Sequence, residues 1–168
     1  RDVARLLAHE AHCLDRKQWR EWLDLYTEDA EFWAPAWASE EELTNDPANE
    51  LSMLYLRGRG ALADRVYRLE ARDSLATVPM DRTAHVLGQV LVNPPGAQPP
   101  SGTAEVNASV SWITHIYGVH GVATLGGYSD YVLRRDQTAG AQATLRIARK
   151  RVVLIGDRLE EPVDFYHL

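Results

Sequence analysis

The sequence predicts an α+β fold in which N-terminal helices cover the apolar face of an antiparallel sheet. Three observations carry this. Apolar residues recur at helical spacing near the start of the chain, strict alternation takes over beyond Arg82, and no βαβ alternation argues for a doubly wound sheet. At 168 residues the chain is read as one domain spanning 1–168.

Val3, Leu6, Leu7, Ala11 and Leu14 form one helical stripe over residues 1–14. Asp15, with Gln18 three residues on, reads as the N-cap of a second helix that carries Trp19, Trp22, Leu23 and Tyr26 and ends near Thr27. Residues 30–35 read as a short strand stopped by Pro35, and Asn45-Asp46-Pro47 as a turn. Residues 51–56 fit either a strand or a helix lead-in. Gly58 and Gly60 introduce a helix whose core face is Leu62, Val66 and Leu69. A strand is expected from Val86 through Val92, then a Pro-rich loop over 93–100. The clearest strand alternates Ala104, Val106, Ala108, Val110 and Trp112 with polar residues. Two more are expected at 127–135 and 143–155, joined through residues 137–140.

Composition narrows the function classes. Apolar residues make up 45% and charged residues 25%, ordinary for a globular protein. No apolar run approaches the ~18 residues of a membrane helix. No signal-peptide pattern is present, and the missing initial Met is taken to mean that residues precede Arg1. The single cysteine, Cys13, permits no intrachain disulfide, which fits a reducing cytoplasm. A net charge of −6 without a basic stripe makes nucleic acid a poor partner. The charge is uneven, with 13 acids and 5 bases in residues 1–50, and 16 of the 18 bases are arginine. Arginine is favoured in paired and interface sites.

His9 and His12 are three apart, one short of the i, i+4 spacing of helical zinc sites, and read as solvated or interface histidines. Glu10 falls on the apolar face of its helix, so it needs a partner, expected to be an arginine. A general base with raised pKa is the functional alternative. His85, His115 and His120 lie on predicted strands, where they suit either structural hydrogen bonds or acid–base work with Asp29 or Tyr26. Trp19 and Trp22 belong to the core stripe. Tyr67 falls opposite Leu62 and Leu69, beside Arg65 and Arg68, and reads as an interface aromatic or a plain surface tyrosine. Arg149-Lys150-Arg151 reads as a solvated strand edge.

Three groups of segments, taken in order, resemble a known family. The first is residues 10–15 (EAHCLD), 19–23 (WREWL) and 33–37 (WAPAW). The second is Asp46-Pro47, residues 62–69 (LADRVYRL) and 79–85 (PMDRTAH). The third is residues 149–154 (RKRVVL) and the closing 164–168 (DFYHL). Together they resemble the small (beta) subunit of bacterial aromatic-ring-hydroxylating dioxygenases. Pro35-Ala36-Trp37 and residues 43–47 (LTNDP) are closest to the benzoate, toluate and anthranilate branch, and the loop at 94–100 departs from it.

The resemblance implies a strongly curved, mostly antiparallel sheet wrapped around N-terminal helices, the cone of nuclear-transport-factor-2-like and cystatin-like folds. It implies an α3β3 hexamer in which this chain is structural and carries no metal. The Rieske [2Fe–2S] cluster, the mononuclear Fe(II) and the pocket for a benzoate-type substrate then belong to the large subunit, with NADH used through a separate reductase. One cysteine agrees, since a Rieske centre takes two beside its two histidines. On this reading Glu10 pairs with Arg82 or Arg65, Asp164 anchors the C-terminal segment beside Tyr166, and Arg65, Tyr67, Arg68, Arg82 and His85 are structural or interface residues. The rival reading is a stand-alone isomerase, cyclase or dehydratase of the same fold, using His85 with an acid such as Asp29 in an open pocket.

Overall fold

A computed structural model describes residues 1–71, 79–94, 105–119, 121–135, 144–156, 159 and 162–168. The Gln137–Gly140 connection, His120 and all but the start of the Pro-rich loop lie outside the described residues.

Helix α1 (Asp2–Arg16) buries Val3, Leu6, Leu7, Glu10, Ala11, Cys13 and Leu14. It ends at Lys17 in the left-handed conformation (φ 58°), where the backbone N–H groups of Lys17 and Gln18 reach back to Leu14 and Cys13. The short α2 (Trp19–Asp24) follows directly. Its N-cap is Gln18; Asp15 lies inside α1 with its side chain on the sheet, so the expected capping box does not form. Nor does α2 run to Thr27, because strand β1 (Tyr26–Pro35) begins two residues after its end. Tyr26 sits on helical spacing by coincidence, and the sheet claims it.

Strand β2 (Ser52–Arg57) resolves the ambiguity at 51–56 and pairs antiparallel with β1. Helix α3 (Arg59–Glu70) buries the expected Leu62, Val66 and Leu69. Gly58 enters it at φ +83°, a conformation that favours glycine, while its N–H donates to Ala30 O at 2.7 Å. Strands β3 (Arg82–Leu87), β4 (Leu91–Val92), β5 (Glu105–Gly118), β6 (Gly121–Arg135) and β7 (Leu145–Leu154) complete a seven-stranded sheet of order β2-β1-β7-β6-β5-β3, with β4 on β5. Every pairing is antiparallel except β1–β7, which is parallel. Register shifts at Ala34/Pro35, Tyr26/Glu31 and Val132/Leu133 bend individual strands, the device that lets a sheet curve.

The alternation read in β5 holds and extends: Ala108, Val110, Trp112, Thr114 and Ile116 face inward, while Ile113, His115 and Tyr117 face outward. In β7 the edge reading fails. The strand lies between β1 and β6, and Lys150 is 3% exposed on the same parity as Ala148 and Val152.

The helices and the C-terminal segment meet in an aromatic cluster. Trp22 stacks on Phe165 at 4.5 Å between centroids and contacts Tyr26 at 4.9 Å, and Trp19 meets Phe165 edge-on at 5.5 Å. Such pairs add about 0.5–1.5 kcal/mol each beyond simple burial.

Candidate functional site

The concave side of the sheet is where a fold of this kind would hold a ligand, and α1 lies along it. Glu10 points inward from α1 toward three strands. Its Oε1 accepts from Tyr26 Oη of β1 at 2.5 Å and from Lys150 Nζ of β7 at 2.9 Å, and its Oε2 accepts from Tyr131 Oη of β6 at 2.9 Å. Lys150 Nζ also donates to Leu168 O at 3.2 Å and lies 5.1 Å from the Phe32 ring. Burial, then the adjacent Glu10 charge, pushes both tyrosine hydroxyls well above their ordinary range. Three donors thus point at the carboxylate, two at Oε1 and one at Oε2.

The expected arginine partner of Glu10 is therefore replaced by a lysine and two tyrosines. Arg65 is committed elsewhere, its Nε donating to both Asp164 oxygens at 3.0 and 3.2 Å. Arg82 faces outward with its guanidinium 4.8 Å from the Tyr117 ring. Lys150 was legible only through strand parity, because it interrupts the inward series Ala148, Val152, Leu154. A charged residue on that parity must have a buried partner.

His85 faces inward from β3 and its Nδ1 lies 2.6 Å from Asp15 Oδ1. Asp15 also accepts from Thr83 Oγ1 at 3.0 Å and from the His85 backbone N–H at 3.0 Å. Burial of Asp15 opposes ionisation, but these hydrogen bonds and the His85 ring outweigh it and lower its pKa. The acid beside His85 is thus Asp15 and not Asp29, which lies at the surface with Thr27 and Arg134. A carboxylate orienting an imidazole is what a general base requires. His85 Nε2, buried and without a protein partner among the described residues, borders a cavity of about 10 Å3 shared with Leu14, Trp112, Ser129 and Lys150. That is room for about one water. Small-molecule sites occupy about 300–1,000 Å3. Leu7, Tyr131 and Leu168 also line this small cavity.

The remaining candidates lie away from this interior. Asp164 caps the 3-10 turn Phe165–His167 by accepting from Phe165 N at 2.8 Å. Tyr166 is buried among Trp19, Phe165 and the Lys17 ammonium, 4.2 Å from its ring. Tyr67 is 69% exposed and Arg68 is exposed beside it. On the convex side, strand registers bring Val86, Ile113, Tyr117 and Val122 onto one outward face, each between 46% and 73% exposed. Sequence reading missed this patch, since alternating apolar residues on both faces of β5 and β6 look the same as a two-sided core.

Comparison with known proteins agrees with the fold. A family model described as ring hydroxylating beta subunit matches residues 9–161. The benzoate 1,2-dioxygenase beta subunit of Acinetobacter baylyi is 32% identical over 99% of this chain and 92% of its own length. The toluate 1,2-dioxygenase beta subunit of Pseudomonas putida is 34% identical over 99% and 96%. The crystal structure of a benzoate 1,2-dioxygenase beta subunit from Burkholderia mallei superposes with a TM-score of 0.74 at 30% identity, covering 99% of this chain and 95% of that one. An NTF2-like protein with a cystatin-like fold from Novosphingobium aromaticivorans shares the fold at a TM-score of 0.59 and 16% identity.

Proposed function

We propose, from the premise that this chain belongs to the ring-hydroxylating beta-subunit family, that it scaffolds a multicomponent dioxygenase that hydroxylates a benzoate-type aromatic acid. It is the small, non-catalytic subunit. The iron–sulfur cluster and the mononuclear iron reside on the large subunit, electrons arrive from NADH through a separate reductase, and three copies assemble with three large subunits in the cytoplasm. The structural unit spans the whole of residues 1–168.

One observation supports the scaffold role above others: among the described residues the cavity beside His85 has room for about one water, while an apolar patch lies open on the outward face of the sheet. Val86, Ile113, Tyr117 and Val122 put large apolar side chains into water where a lone domain has no need of them. Interface cores favour aromatic and aliphatic side chains of this kind, with arginines nearby; Arg82, stacked on Tyr117, supplies one. Inside, the Asp15–His85 pair and Glu10 hold strands to helix, and the cavity beside them among the described residues has room for about one water.

Co-expression with the large subunit tests this. The expected result is a complex of equal subunit numbers that carries the Rieske visible spectrum, and a separated small chain that lacks it. Ile113→Glu together with Val122→Glu should leave the isolated chain folded and abolish co-purification. A visible iron–sulfur spectrum on the isolated chain, or isomerase or dehydratase turnover lost in His85→Gln, would overturn the reading.

A further inference from the structure

One cluster joins a buried thiol of the core to two exposed side chains on the helices. His9 and Cys13 are four residues apart on α1, so their side chains project from one helical face a single turn apart. The N-terminal turn of α2 brings Glu21 against them, and one donor atom from each of His9, Cys13 and Glu21 lies within 4.8 Å of the other two. His9 and Glu21 are exposed and Cys13 is fully buried. Neither exposed side chain forms a hydrogen bond or ion pair among the described residues. The cluster is not an accident of one helix, because the tight Lys17 reversal is what folds α2 back beside α1.

We propose that His9, Cys13 and Glu21 form a binding site for a single divalent transition-metal ion of the zinc class. The donor set decides the class. One imidazole nitrogen, one thiolate and one carboxylate suit Zn2+ or Co2+, whereas Mg2+ and Ca2+ take oxygen ligands. Metal–ligand distances of about 2.0–2.3 Å require the donors to close in by about an ångström. His9 and Glu21 supply that movement, being solvent-exposed side chains unconstrained by other partners. Three protein ligands leave the fourth tetrahedral position to water. Binding replaces the sulfur–hydrogen bond with a sulfur–metal bond and releases that proton to solvent. The site is separate from the irons assigned above to the large subunit, and it does not depend on that assignment. His12, read from the sequence with His9 as a solvated or interface histidine, is not part of the cluster.

Cobalt substitution reads this directly. The tag-free chain, reduced and stripped with chelator, is titrated with Co2+ alone or in complex with its large subunit. The expected result is one equivalent bound, with visible bands of four-coordinate cobalt and a near-ultraviolet thiolate-to-cobalt charge-transfer band that Zn2+ abolishes. Cys13→Ser should remove the charge-transfer band. Because that substitution touches the core, His9→Gln and Glu21→Gln, both at exposed positions, carry the independent test. Each should weaken Zn2+ binding at least tenfold, while His12→Gln leaves it unchanged. Absence of the charge-transfer band, non-saturating binding, or Zn2+ affinity unchanged in the His9→Gln/Glu21→Gln double variant would overturn the proposal.

Discussion

Replacing Lys150 with Met tests how the interior is held together. Methionine keeps most of the lysine stem's length but removes the ammonium that lies 2.9 Å from Glu10 Oε1 and 3.2 Å from Leu168 O. Glu10, 2% exposed, is then left with two tyrosine hydroxyls and no counter-charge. Breaking one side of a buried pair costs about 3–5 kcal/mol, mainly because the other charge stays buried. For a chain of this length each kilocalorie moves the midpoint by roughly 2–4 °C, so a fall of roughly 6–20 °C is expected. Thermal unfolding followed by tryptophan fluorescence and by far-ultraviolet circular dichroism, at fixed protein concentration, measures it, and urea unfolding gives the free energy. The double variant Glu10→Gln/Lys150→Met removes both charges and should be more stable than the sum of the two single losses predicts, with a coupling of about 1–3 kcal/mol. A Lys150→Met loss below about 1 kcal/mol, or strict additivity in the cycle, would refute the account of Glu10 as a charge that needs this lysine.

Three further outcomes follow from the same structure. Burial holds the His167 imidazole below its ordinary value of 6.5, against the opposing pull of Asp81 at 3.1 Å. Its contribution to stability is thus complete above about pH 6.5 and is lost as pH falls toward the lower folded-state value; His167→Gln should flatten the stability–pH curve below about pH 6.5, and an unchanged slope counts against it. Asp164→Ala removes both the cap on Phe165 and the Arg65 partner. A cost of about 1–3 kcal/mol is expected, with faster hydrogen exchange in residues 163–168 as the local readout; exchange unchanged there would show that the aromatic contacts alone dock the segment. Gly127→Ala places a Cβ 1.8 Å from Val153 O on the neighbouring strand. Overpacking of this kind costs about 1–3 kcal/mol, and a midpoint equal to the parent would show that β6 and β7 can separate there.

Much of the fold was readable before any coordinates. Periodicity located α1, α3 and β5, because a buried stripe on a helix or strand repeats at its own period whatever lies opposite. The exposed Tyr67 and the inward Glu10 were visible for the same reason. Boundaries were less secure. At Tyr26 a helical stripe and a strand overlap in pattern, and Asp15 looks like a cap in isolation although its carboxylate is drawn to Thr83 and His85, 68 and 70 residues away.

Partnership belongs to tertiary structure. Which cation meets Glu10 depends on the register of β7 against β1 and β6, and a one-residue slip would turn Lys150 to solvent and bring Arg149 or Arg151 inside. Whether His85 serves a pocket or a packed core depends on how far α1 sinks into the sheet, which no local pattern records. By itself the sequence determined the periods, the single cysteine and the family signature of its segments. Only the fold decided which charges face each other, how little room lies beside His85, and that His9, Cys13 and Glu21 meet. Contacts between residues far apart in the chain are set by register and docking geometry, and those are properties of the whole packed structure.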